Sequence, residues 1–215
     1  MGKRPAEDEL FVGNMGSIQW EIRSSMQREN SLTMETGLER IAEKARSEPR
    51  LRFTSLAHHI TRERVWTNLC QIPKRSAPGV DGQTVTEAKE RFGEWVDNML
   101  QSVHRQGYRA PDIRRVYIPK PGKQEKRPLG VPCVNDRALQ RSTAQVLSAI
   151  YETDFLPCSF GGRPERGAHQ ALATLNEVIG GKVSRVLEAD LTNFFGSLSH
   201  EWVLRSWSTE SAIRD

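Results

Sequence analysis

Apolar positions along the chain follow two periods, one helical and one alternating, and their order predicts the layout. From residue 35 onward, Leu38, Ile41, Ala42 and Ala45 recur at helical spacing and Pro49 closes that helix. Val65, Trp66 and Leu69 mark the inward face of a second helix over Thr61–Cys70. After the turn formers Ser76-Ala77-Pro78-Gly79-Val80-Asp81-Gly82, one long amphipathic helix is predicted over Thr86–Gln106. Its stripe is Phe92, Trp95, Val96, Met99, Leu100 and Val103, and Gly107 is its expected C-terminal cap. The period then changes to two. Arg114–Pro119 alternates as a strand, Pro121–Glu125 reads as a turn, and Arg127–Val131 returns as the partner. Pro128 and Pro132 lack ladder donors, which makes this an edge or irregular hairpin.

Helical spacing resumes over 136–152 (Leu139, Val146, Leu147, Ile150) and 166–179 (Ala168, Leu172, Leu175, Ile179), and Gly180-Gly181 breaks the second. Val183–Leu191 is a β-branched run that predicts a buried strand ending in Asp190. Ser199 is placed to cap a final helix. Residues 1–34 show no sustained period and read as a flexible leader, with a short helical stretch around Ile18–Met26.

Composition narrows the class. A chain of 215 residues with 37% hydrophobic and 27% charged residues suits a soluble globular protein that leans polar. The net charge of +4 is unevenly spread. Arg105–Arg141 holds ten Lys or Arg against three Asp or Glu, a local +7, so the remainder sums to -3. A basic segment on a near-neutral body is the footprint of phosphate binding, although a solvated basic face reads the same way. Cys70, Cys133 and Cys158 are widely spaced and propose neither a disulfide framework nor a zinc site. The N-terminal residues lack a signal-peptide core, position 6 is Ala rather than Ser or Thr as myristoylation needs, and no apolar run could span a bilayer. The expectation is a soluble, cytoplasmic protein without a membrane partner.

Three segments could carry chemistry. Asp190 ends a predicted buried strand, where a carboxylate can hold a metal rigidly, and Phe194-Phe195 follow. The plainer reading of that stretch alone is a turn-capping aspartate beside two core phenylalanines. The hairpin, with Arg114, Arg115, Lys120, Lys126 and Arg127, could close its cations over a triphosphate from one face; it could equally be a sheet edge guarded by positive charge. The Gly-rich loop Ser159–His169 can approach a nucleic-acid backbone closely, but it lacks the Gly-Lys-Ser/Thr of a P-loop. His169 there reads more simply as a packing or capping residue than as a base.

Taken in order, these segments resemble the group II intron-encoded reverse transcriptase/maturase family. The likeness runs from about Leu38 to Leu204 through Leu51–Leu56, Ala77–Gly82, Arg114–Pro121, Arg127–Pro132, Asp136-Arg137, Phe160–His169 and Glu188-Ala189-Asp190. The resemblance implies an α+β fold, a partial right-hand polymerase (fingers plus the start of the palm), mostly helical with a basic β-hairpin. Its divisions would be a leader at 1–34, a helical extension at 35–106, fingers at 107–182 and the beginning of the palm at 183–215.

The resemblance also implies residue roles. Asp190 and the backbone carbonyl of Leu191 would bind Mg2+. Lys120 and Arg127 would grip the deoxynucleoside triphosphate (dNTP), with Phe195 beneath its sugar. Arg114, Arg115, Arg163 and Arg166 would contact RNA. Implied partners are an RNA template, intron RNA, a DNA primer and dNTP, with a second polypeptide that completes the palm as a further option. Two departures are visible. Gly196 stands where the family usually has Asp, and the 215 residues hold no adjacent Asp pair of the Tyr-Ala-Asp-Asp type. The expectation is therefore a truncated or frameshifted N-terminal portion of an RNA-directed DNA polymerase, inactive alone. The alternative is an RNA-binding module that assists intron folding or splicing without polymerising.

Overall fold

The computed structural model describes residues 37–119, 122, 124, 126–181, 183, 185–192 and 194–210, with the side chains of 195 and 207–210 excepted. The leader expected over 1–34 lies outside these residues. A first helix, α1, covers 37–47. A 3-10 turn, Ala57–His59, leads into α2, Arg62–Gln71, whose N-cap Thr61 accepts from the Arg64 amide. Helix α3, Val85–Glu90, opens with a full capping box. Thr84 and Glu87 each accept from the other's backbone amide, which satisfies two of the donors a helix start leaves unpaired.

The single helix expected over Thr86–Gln106 is two. Helix α4 runs over Phe92–His104, and Arg91, at φ -96 and ψ 17, ends one and starts the other. The apolar stripe stays in phase across the break, which is why the pattern concealed it. Tertiary contacts make it. The Phe92 ring sits 4.8 Å from Trp66 and 5.2 Å from Trp95, and the Trp95 indole donates to the Ala88 carbonyl at the end of α3. The terminus of α4 also differs from expectation. Gln106, not Gly107, is the left-handed residue at φ 58. The Gln106 and Gly107 amides donate to Val103 and Ser102 in a Schellman arrangement.

Strands β1, Arg114–Pro119, and β2, Lys126–Val131, pair antiparallel with Arg114 opposite Val131 and Pro119 opposite Lys126. They form a two-stranded sheet. Helix α5, Val134–Tyr151, then crosses the core, followed by α6, Ala168–Ile179, α7, Phe194–Ser197, and α8, His200–Glu210. Ser199 caps α8 as expected, accepting from the Trp202 amide.

The main core lies where α2, α3 and α4 meet α5. Val65, Leu69, Val85, Ala88 and Val96 pack with Val134, Ala138, Leu139 and Val146 in one buried cluster. A smaller cluster joins Ile41 and Ala45 of α1 to Ile150 of α5, flanked by Phe53. Burial of this kind contributes about 25 cal/mol per Å² of apolar surface and makes α5 the organising element. Polar groups along the α2–α5 seam are paired as well. Asn68 donates to Ser142 and Gln145, and the buried Arg64 donates to the His59 carbonyl.

The C-terminal third departs from expectation. The stripe on α6 is present, yet Leu172, Leu175 and Ile179 are all more than half exposed. Among the described residues of 183–191 there is no strand, and Val186 and Leu187 are 81% and 93% exposed. A single β-branched run has no ladder to join without a neighbour, so period alone does not make it a strand. No described helix is long and apolar enough to cross a membrane.

Candidate nucleic-acid interface

The hairpin departs from the core through an extended stretch and presents two unlike faces. Opposed residues in an antiparallel pair share a face, and successive residues alternate. One face therefore carries Arg114 with Val131, Val116 with Leu129 and Ile118 with Arg127. The other carries Arg115 with Gly130, Tyr117 with Pro128 and Pro119 with Lys126. Along β1 the first set is half-buried and the second exposed. The expected one-sided array of cations is thus corrected: Arg114 and Arg127 lie on one face, Arg115 and Lys126 on the other. Neither strand contains an acidic residue. Lys120 lies outside the described residues.

The turn at 76–82 is fixed to the start of α5. A Cβ added at Gly79 would lie 2.6 Å from the Cys133 Cα, so only glycine allows this approach. Arg137 donates to the Ala77 carbonyl at 2.8 Å. Gly82 occupies the left-handed region at φ +69.

The Gly-rich loop is organised from within. Arg163 is 8% exposed, and its guanidinium is spent on the protein. Nε and Nη2 donate to Glu152, and Nη1 donates to the carbonyls of Leu156 and Ser159 at 2.8 Å each. The Phe155 ring lies under its Cζ. Arg163 therefore closes the loop rather than making the RNA contact expected of it, because four of its five N–H donors are spent within the protein. Its hydrogen bond, ahead of its charge, holds the Glu152 carboxyl below the usual carboxylate range. Arg166 is half-buried, donates to the Pro157 carbonyl at 2.7 Å and stacks on Phe160. His169, expected to pack or cap, is exposed on the first turn of α6, where Gly167 is the N-cap and no side chain makes a cap hydrogen bond.

Asp190 lies in the irregular segment 185–191. It is exposed, and its Oδ1 accepts the Leu191 amide at 2.9 Å. Ala189, Asp190, Leu191 and Phe194 line a shallow hollow there. The Phe195 side chain lies outside the described residues. Among the described residues no three His, Cys, Asp or Glu side chains converge. The donors present at Asp190, one carboxylate and a neighbouring carbonyl, do not fit a clamp for two magnesium ions, which needs carboxylates on both.

Two polar groups of the core have buried roles that sequence reasoning missed, although Asp136 stood among the landmarks of the resemblance. Asp136, in the first turn of α5, is buried and accepts from Tyr108 and Gln140. Asn68 is buried at the seam. The signal of burial in each case is a polar residue on an otherwise apolar helical face.

These features define an α+β protein, mostly helical, with a cationic antiparallel hairpin set beside a helical core. Comparison with known proteins gives its relationships. The chain is 31% identical over 175 residues to protein YkfC of Escherichia coli K12, covering 78% of this chain and 46% of that protein. It is 30% identical over 167 residues to the group II intron-encoded protein LtrA of Lactococcus lactis subsp. cremoris, covering 76% of this chain and 27% of LtrA. An uncharacterised 91 kDa protein in the cob intron of Schizosaccharomyces pombe is 32% identical over 120 residues, 56% of this chain and 14% of that protein. No family model matches the chain. The chain is related to the group II intron-encoded reverse transcriptase/maturase family and spans less than half the length of each of these relatives.

Proposed function

We propose that this chain is the RNA-gripping portion of a group II intron reverse transcriptase, and that the 215 residues bind RNA without polymerising by themselves. The observation that carries this is the hairpin. It projects Arg115, Lys126 and Arg127 into solvent, without an acidic residue on either strand, in a chain related to group II intron-encoded proteins. In this reading the segment corresponds to fingers and the beginning of a palm. Intron RNA and an RNA template are its partners, and the DNA primer and dNTP are shared with the rest of a complete enzyme.

Within such an enzyme, Arg127 and Lys120 grip the dNTP triphosphate, and Phe195 lies beneath its sugar. Arg114, Arg115 and Arg166 lie near RNA. Asp190, with the Leu191 carbonyl, supplies one side of a magnesium site whose other carboxylates come from outside these 215 residues.

Binding to a labelled single-stranded RNA, measured against salt, tests the reading. Affinity falls steeply as salt rises, with a log–log slope of roughly 0.7 per phosphate contact. Charge reversal at Arg115 and Arg127 flattens the slope. A primer-extension assay gives no RNA-templated product. Salt-independent binding, or robust synthesis by the chain alone, overturns the proposal.

A further inference from the structure

The hairpin face turned away from Arg127 has a composition of its own. Tyr117 is 58% exposed and lies directly opposite Pro128, so an aromatic ring and a pyrrolidine ring sit side by side on adjacent strands. Arg115 is two residues to one side of Tyr117. On the other side Lys126, also exposed, stands opposite Pro119. Residues two apart on one strand are about 6.7 Å apart, so the two cations bracket the rings over about 13 Å, long enough to reach phosphates on either side of a base stacked between them.

Gly130, opposite Arg115, carries no side chain, and Ile113 occupies the space. A Cβ at Gly130 would lie 2.8 Å from the Ile113 Cγ2. Ile113, itself 57% exposed, thereby extends the apolar surface. An exposed tyrosine between cations, on strands that hold no acidic residue, matches what an unpaired base with its flanking phosphates requires: a ring to stack on and positive charge on either side. A duplex has its bases already stacked and offers nothing to the ring.

From this register we infer that the Tyr117–Pro128 face is a stacking platform for single-stranded RNA, separate from the Arg114/Arg127 face, with Arg115 and Lys126 as its phosphate contacts. The inference rests on the RNA-gripping reading and deepens it by naming the strand state and the ring.

The test uses the full chain and a single-stranded RNA of about 12 nucleotides carrying 2-aminopurine. Wild-type protein changes the 2-aminopurine emission on binding. Tyr117→Ala removes that change and weakens binding roughly tenfold, leaving the salt slope intact because stacking releases no counterions. Tyr117→Trp restores both, which separates lost stacking from a misfolded hairpin. Arg115→Gln with Lys126→Gln lowers the slope instead. Duplex RNA of equal length competes poorly. If salt-sensitive binding persists but Tyr117→Ala is silent, or the duplex competes equally, the platform is wrong while the RNA grip stands. If the wild-type chain binds no RNA at any salt, both fall.

Discussion

The Tyr108 hydroxyl donates a 3.0 Å hydrogen bond to Oδ1 of Asp136, a carboxylate buried in the first turn of α5. Gln140 donates to the other oxygen, and the N-terminal end of the helix favours the negative charge. Tyr108→Phe removes one donor from a buried charge and is expected to cost about 1–3 kcal/mol in urea unfolding. Burial first, then the Asp136 charge, raises the Tyr108 phenol well above its ordinary value. A raised folded-state value means stability that is complete below the unfolded phenol near ~10 and lost as pH climbs beyond it. Wild-type protein should therefore lose stability above about pH 10 more steeply than Tyr108→Phe, as parallel urea titrations across that range would show.

Arg163 and Glu152 make the opposite case, a cation first read as a phosphate ligand that instead closes a loop. Arg163→Lys keeps the charge but cannot reach Glu152 and the carbonyls of Leu156 and Ser159 together, so it should not rescue Arg163→Gln. Both variants should open 152–166 to proteolysis several-fold faster than wild type, with the salt slope of RNA binding unchanged. Glu152 is depressed, so its contribution is complete above the ordinary carboxylate range and lost as pH falls through its lowered value. Proteolysis of this loop in wild-type protein should accordingly rise in acid.

Helical stripes and the strand alternation were legible because burial imposes a period on the sequence. The hairpin bounds and the Val65, Leu69, Val96 and Val146 core positions follow from it. What escaped was set by contacts distant in sequence. The stripe runs unbroken through Arg91, and only the Phe92–Trp66–Trp95 cluster shows why the helix breaks there. Arg163 reads as a basic loop residue until chain closure brings it onto Glu152, eleven positions away. The partition of Arg114 and Arg115 onto opposite hairpin faces was implicit in the period of two, yet summed charge obscured it. At 183–191 only Val183 and Val186 are β-branched, and a strand there depends on partners that the run itself does not contain.

Gly79 and Gly82 sit in one turn and are glycines for different reasons. At Gly79 a methyl would meet the Cys133 backbone at 2.6–2.7 Å and its Sγ at 2.8 Å; at Gly82 space is open but φ is +69. Gly79→Ala overpacks a contact with immovable backbone and should cost about 1–3 kcal/mol, displacing the turn from α5. Gly82→Ala meets only the left-handed penalty, about 1 kcal/mol. Thermal unfolding of both variants should rank Gly79→Ala as the more damaging. Equal losses would mean the turn moves freely away from α5.

At the α2–α5 seam the Asn68 amide nitrogen faces three acceptors: the Arg64 carbonyl at 3.0 Å, Ser142 Oγ at 3.1 Å and Gln145 Oε1 at 2.9 Å. Ser142 spends its own proton on the Ala138 carbonyl at 2.8 Å, so its oxygen can only accept from Asn68. The amide orientation is thereby fixed, and its Oδ1 has no donor opposite it among the described residues. Asn68→Ala should cost about 1–3 kcal/mol, because buried acceptors lose their donor. Asn68→Asp should cost more at neutral pH, since it sets an anionic oxygen against those acceptors in a buried seam. Its carboxyl would then be pushed above the ordinary range in the folded state. Stability of that variant relative to wild type should be best in acid and fall as pH rises from about 4. Urea midpoints measured from pH 4 to pH 8 decide the point. A flat profile for Asn68→Asp would show that the seam admits water and that Asn68 is not the buried donor its geometry makes it.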